Sequence, residues 1–116
     1  MGAIDYSHYS VVKGDMRDAY HHARQEANYE NGHQQGYSGD IQTSSSYMDC
    51  TKEAPRYGTK AFNKWENLML DETLQKWDVC AGVEIKGKAA KLIKEYHGYK
   101  GKRGYRVFYF FGIGAE

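Results

Sequence analysis

The run Arg106-Val107-Phe108-Tyr109-Phe110-Phe111 constrains the fold more than any other part of the chain. Successive side chains of a strand point to opposite faces, so Phe108 and Phe110 share one face while Tyr109 and Phe111 share the other. A strand apolar on both faces is expected at the centre of a sheet. At an edge its unpaired backbone would invite another chain. Gly112-Ile113-Gly114-Ala115-Glu116 reads as its end. Trp65, Trp77 and residues 108–111 are the first candidates for the core.

The elements around that strand follow from spacing. Residues 4–13 are rich in strand formers and predict a first strand. Gly14-Asp15 supplies a turn and an N-cap, and Asp18 suits the positive end of a helix dipole. From Met16 the apolar positions Met16, Ala19, Tyr20, Ala23 and Ala27 fall on one face, predicting a helix over 16–30. Its small alanines allow close approach to a sheet. Asn31-Gly32 is a natural stop. Residues 39–46 read as a second strand at an edge, weakened by Ser44-Ser45-Ser46, and 47–58 as a loop holding the lone proline, Pro55.

A second helix is expected from Thr59 or Lys60, with Phe62, Trp65, Leu68 and Met69 on one face. Leu70, Leu74 and Trp77 indicate a further turn. Val79, Ala81, Val83 and Ile85 alternate with Cys80, Gly82, Glu84 and Lys86, which is a strand pattern that Gly87 should end. Ala89, Leu92, Ile93 and Tyr96 return to helical spacing, with Lys88, Lys91 and Lys94 facing outward. Gly98, Gly101 and Gly104 punctuate a basic loop before the last strand.

The predicted class is α+β: one domain over 1–116, with a four-stranded, mainly antiparallel sheet and two or three helices packed on one face. A doubly wound parallel sheet would need near-continuous apolar strands, and here one strand alone has that character. The length of 116 residues fits a single domain. Aromatic content is 15%, with eleven tyrosines, so the core boundary should carry hydroxyls that need partners.

Net charge is +1, but its placement is uneven. Residues 86–106 carry eight of the sixteen lysines and arginines and a single acid, Glu95, which predicts one positive face on an otherwise acidic molecule. Cys50 and Cys80 match no metal or redox spacing, so a reduced, intracellular chain without cofactor is the expectation, with pairing of the two thiols left open. The start Met1-Gly2-Ala3-Ile4-Asp5 has neither a basic nor an apolar leader pattern, and no segment has the length of a membrane span.

Three local patterns together resemble the signature of a group of small uncharacterised bacteriophage proteins. Tyr29-Glu30-Asn31-Gly32-His33 runs into Gly36-Tyr37-Ser38-Gly39-Asp40-Ile41; Lys76-Trp77 precedes Ala81-Gly82-Val83; and Phe110-Phe111-Gly112 leads to Ala115. They cover about a third of the chain, in matching order. Asp40, Asp78 and Ile113 depart from the Thr, Gly and Trp of that pattern. The resemblance implies a phage or prophage accessory protein acting in the cytoplasm of a bacterial host, where proteins of this size bind host or defence components, anti-CRISPR proteins among them.

Two segments are candidate sites. His33, Tyr37, Ser38 and Gly39 lie between helix and strand, where a histidine and a glycine-rich turn can contact a ligand such as a nucleotide. A helix C-terminus is a poor neighbour for phosphate, and the glycines precede no helix, so neither a Walker loop nor a dinucleotide fingerprint is present. A structural joint accounts for the same residues. His22 and Glu26 stand at i, i+4, but two ligands do not make a metal site, and exposed polar residues explain them.

The second segment interleaves Lys94, Tyr96, Tyr99, Lys100, Lys102, Arg103 and Tyr105. Cations neutralise phosphates or acidic protein surfaces and tyrosines stack, while a solvated helix face and loop is the plainer account. No catalytic constellation emerges. The leading expectation is a non-enzymatic accessory protein that inhibits or modulates a host protein or nucleoprotein complex through this basic, tyrosine-rich surface. Alternatives are a nucleotide-sequestering or nucleotide-processing protein using His33 and Tyr37, and a nucleic-acid-binding protein.

Overall fold

A computed structural model describes residues 2–31, 40–75 and 77–115. Seven elements frame it: strand β1 (Ala3–Val12), helix α1 (Met16–Asn31), strand β2 (Tyr47–Asp49), helix α2 (Lys60–Leu68), strand β3 (Cys80–Ile85), helix α3 (Gly87–Tyr96) and strand β4 (Arg106–Ala115). The sheet order is β1-β4-β3-β2. β4 is central, antiparallel to β1 from Ala3↔Ala115 to Val12↔Arg106 and to β3 from Ala81↔Phe111 to Ile85↔Val107. β2 joins β3 in parallel, making the sheet mixed. The α+β class and the number of strands, four among the described residues, are as the sequence predicts.

Helices occupy both faces of the sheet, which corrects the expectation of helices on one. On the first face α1 lays Ala19, Ala23 and Ala27 against the sheet with no exposure at all. They pack with Met16, Tyr20, Phe108 and Phe110. Gly82 makes the approach possible: a Cβ there would lie 2.7 Å from Cε1 of Phe110 and 3.0 Å from Sδ of Met16. On the second face α2 and α3 cover Ala81, Val83, Ile85, Val107, Tyr109 and Phe111. Both parities of β4 are buried, as its composition demands.

Local chemistry fixes the helix starts. The Asp18 amide donates to Asp15 Oδ1 at 3.1 Å and the Asp15 amide to Asp18 Oδ2 at 3.2 Å, a reciprocal cap for α1. Thr59 Oγ1 accepts from the Phe62 amide at 3.2 Å to cap α2. α2 runs into a π-helical turn, Met69–Thr73, which closes on Leu74.

Three local expectations change. Residues 41–46 form a 3₁₀ turn, Ile41–Thr43, followed by bends, and the strand lies instead at Tyr47–Asp49, within the predicted loop. The Asp40 side chain accepts from the Ile41 amide at 2.7 Å, which turns the chain where extension was expected. Gly87 opens α3 as well as closing β3, because its φ of +74° is a conformation that a glycine adopts without strain. Trp77 is 45% exposed, in a turn with φ +67°, and not in the core; Trp65 is half-buried against Phe111 and Phe62.

Tyrosine hydroxyls find partners at the rim of each layer. Tyr6 is bonded to Ser44, Tyr9 to Tyr57, and Tyr109 donates to Glu66. Burial drives the Tyr6, Tyr57 and Tyr109 phenols well above their ordinary value, so all three stay protonated.

Candidate functional site: a basic groove

The groove is built from the end of α3 onward. His97 closes the helix, the Gly98 amide donates to the Glu95 carbonyl at 3.2 Å and the Tyr99 amide to the Lys94 carbonyl at 2.7 Å. This is the paired bonding of a Schellman stop, with Gly98 at φ +84° supplying the left-handed residue. The Lys102 amide then donates to the Tyr99 carbonyl at 3.1 Å, closing a four-residue turn in which Gly101 sits at φ +73°. Two consecutive turns of defined geometry thus aim the loop. It is not an unstructured basic tail.

Between this loop, α3 and the ends of β3 and β4 lies a groove of about 810 Å³. Lys91 and Lys94 line it from the helix, Lys100, Lys102 and Arg103 from the loop, and Lys86 and Arg106 from the strand ends. Against these seven cations stand two carboxylates, Glu84 and Glu95. Glu84 is already matched, because Arg106 donates from Nε at 2.9 Å and from Nη2 at 2.8 Å in a bidentate pair. Those hydrogen bonds hold the Glu84 carboxyl below its ordinary value against the opposing effect of burial. The groove's net field is therefore strongly positive.

Its aromatic wall is Tyr99 and Tyr105, with ring centroids 4.6 Å apart. Lys102 Nζ stands 5.6 Å from the Tyr99 ring centre and Lys13 Nζ 5.3 Å from that of Tyr105. Both contacts are within cation–π range and hold the lysines near the groove.

Of the basic-segment residues singled out from sequence, Lys94, Tyr99, Lys100, Lys102, Arg103 and Tyr105 line this groove together. Tyr96 does not. It is 88% exposed and lines an apolar depression with Tyr9, Leu92, Ile93 and His97. Two residues apart on a helix, Tyr96 and Lys94 point in different directions, which the interleaving of the sequence conceals. Lys86, Lys91 and Arg106 join the site without having been singled out. The i, i+3 spacing of Lys91 and Lys94 was a usable signal, whereas Lys86 and Arg106 depend on the pairing of β3 with β4.

The other candidate segment, His33, Tyr37, Ser38 and Gly39, lies outside the described residues. Its neighbour Asp40 reaches back to β1, where His8 Nε2 and Asp40 Oδ1 form an ion pair. Burial alone would depress His8, but the Asp40 hydrogen bond and charge, with Glu30 and Glu26 beyond, outweigh it and raise its pKa above the ordinary value. His22 pairs with Glu26 at 2.6 Å on the outer face of α1. Among the described residues no group of three or more His, Cys, Asp or Glu is placed to hold a metal.

Cys50 and Cys80 are free and buried, in clusters on opposite faces of the sheet. Burial pushes the Cys50 thiol up to about 11 and the Cys80 thiol up to about 12, so neither is a thiolate nucleophile near neutral pH. No described helix is long and apolar enough to cross a membrane. No family model, curated protein or solved structure matches the chain.

Proposed function

We propose that this chain is a non-enzymatic accessory protein that docks through its basic, tyrosine-walled groove on an anionic macromolecule of a bacterial host. The observation that carries this reading is six lysines and arginines against one further carboxylate, Glu95, in a single concavity, with Arg106 and Glu84 neutralising each other. A fixed positive field of this kind raises the local concentration of an anionic partner and steers its approach. The resemblance to small phage proteins supports a host protein or nucleoprotein as the partner, an inhibitory or anti-defence role, and action in the host cytoplasm.

Pulldown from a bacterial lysate, with and without Lys100→Glu, Lys102→Glu and Arg103→Glu in combination, tests the proposal. Loss of the retained partner in the charge-reversed protein is the expected result. An unchanged partner list would remove the groove from consideration as the docking surface.

A further inference from the structure

The basic groove does not end at its own rim. Glu84, Ile85, Lys86 and Gly87, which form one of its walls, also line a second depression of about 410 Å³. The far side of that depression is made by Ala54, Pro55, Arg56 and Tyr57. Exposed cations mark the whole path: Lys100, Lys102 and Arg103 at one end, Lys86 at the shared wall, and Arg56 at the other end. The carboxylate at the shared wall, Glu84, is held by Arg106 and offers little repulsion to an anion passing over it.

We infer that the two depressions form one track for the backbone of single-stranded nucleic acid, running from the loop at 99–105 across Lys86 to Arg56. This rests on the reading of the groove as a docking surface, and adds to it the class of partner and a second half to the site. A linear polyanion is the shape that uses two adjoining concavities, whereas a lone nucleotide occupies one. An acidic protein surface is the competing partner, and competition with polyglutamate distinguishes it from nucleic acid. Single-stranded binding characteristically joins a cationic channel to aromatic walls, which is the pairing found here in Tyr99 and Tyr105 and again in Tyr57.

Fluorescence anisotropy of the full chain with labelled oligodeoxythymidylates of about three and about twelve nucleotides, over a salt series, tests the track. The longer probe should bind more tightly and with the steeper salt dependence. Arg56→Glu should reduce its log–log salt slope by roughly 0.7 or more, the value for one phosphate contact on a single strand, and leave the short probe unaffected. A melting curve unchanged from the parent protein establishes that Arg56→Glu is folded.

Equal affinity for both lengths would overturn the track. So would indifference of the longer probe to Arg56→Glu, tighter binding of a duplex, or equal displacement by polyglutamate of matched charge. If no oligonucleotide binds while charge reversal at Lys100, Lys102 and Arg103 still releases the lysate partner, the docking surface stands and its assignment to nucleic acid falls. If that reversal changes nothing in the lysate, the docking surface itself falls.

Discussion

The two faces of the sheet are packed by different means, and the difference separates what holds the molecule together from what it offers to a partner. Beneath α1 the interface is close: three alanines and Gly82 bring helix and sheet together, and Ser10 Oγ donates to the Ala19 carbonyl at 2.9 Å. Arg24 Nη1 donates to the Ser44 carbonyl at 2.8 Å and to Tyr20 Oη at 2.9 Å, tying α1 to the chain that follows it. Under α2 and α3 the layer is built from large rings, Tyr57, Phe62, Trp65, Tyr109 and Phe111, which meet edge to face. Both grooves of the proposed track open on that second side, around the start of α3. The alanine stripe lets α1 lie close on the sheet, and the two larger depressions lie at the margins of the other layer.

The largest test of this contrast is Phe110→Ala. Phe110 is fully buried on the α1 face, with Tyr20 and Tyr47 against its ring. Truncation there leaves a cavity that close-packed neighbours cannot collapse into, and the expected loss of stability is about 3–5 kcal/mol by chemical denaturation. Leu92→Ala, on the outer face of α3 where the side chain is 58% exposed, should change stability by no more than about 0.5 kcal/mol. Comparable losses in the two variants would show that burial in the α1 layer does not carry the stability assigned to it.

A smaller effect belongs to the seam between β1 and the Ile41–Thr43 turn. The folded pKa of His8 is raised, so the protonated form is favoured by folding. Its stabilisation is fully present below the ordinary histidine value of about 6.5 and is lost as pH rises through the elevated folded value. Thermal melts across that range should show the melting temperature falling with pH, and His8→Gln should flatten the trend. The reverse slope, or no difference between the parent protein and His8→Gln, would mean that the His8–Asp40 pair contributes no proton-linked stability.

The element order is largely legible in the sequence, whereas the two-sided packing is not, because it depends on contacts between segments distant in the chain. The aromatic run of β4, the alanine stripe of α1 and the glycine stops of α3 are local signals, strong enough to fix element type and the central place of β4. The second buried face was hidden in β3, because Cys80, Gly82 and Glu84 alternate with apolar residues and look like a solvent side. Cys80 is in fact fully buried, and Gly82 lacks a side chain so that Phe110 and Met16 can occupy its place. β2 was illegible for a related reason. Three residues form it, and what makes them a strand is the parallel pairing of Tyr47, Met48 and Asp49 with Cys80, Ala81 and Gly82. The cations of the groove were readable as a cluster, but their division between a groove and the separate patch bearing Tyr96 depended on helix geometry.

The smallest expected stability change is the most informative for the comparison. Lys100, Lys102 and Arg103 are exposed, in a loop whose shape is set by backbone bonds at Gly98, Tyr99 and Lys102 and not by those side chains. Reversing all three to glutamate should shift stability by about 0.5 kcal/mol or less, because it relieves repulsion among neighbouring cations while removing the Lys102–Tyr99 contact. The same substitution should abolish docking. Measured together by denaturant titration and by pulldown, the two outcomes place binding and stability on different residues. A stability loss of several kcal/mol would instead mean that the basic loop is part of what holds α3 against the sheet, and the separation of roles between the two faces would fail.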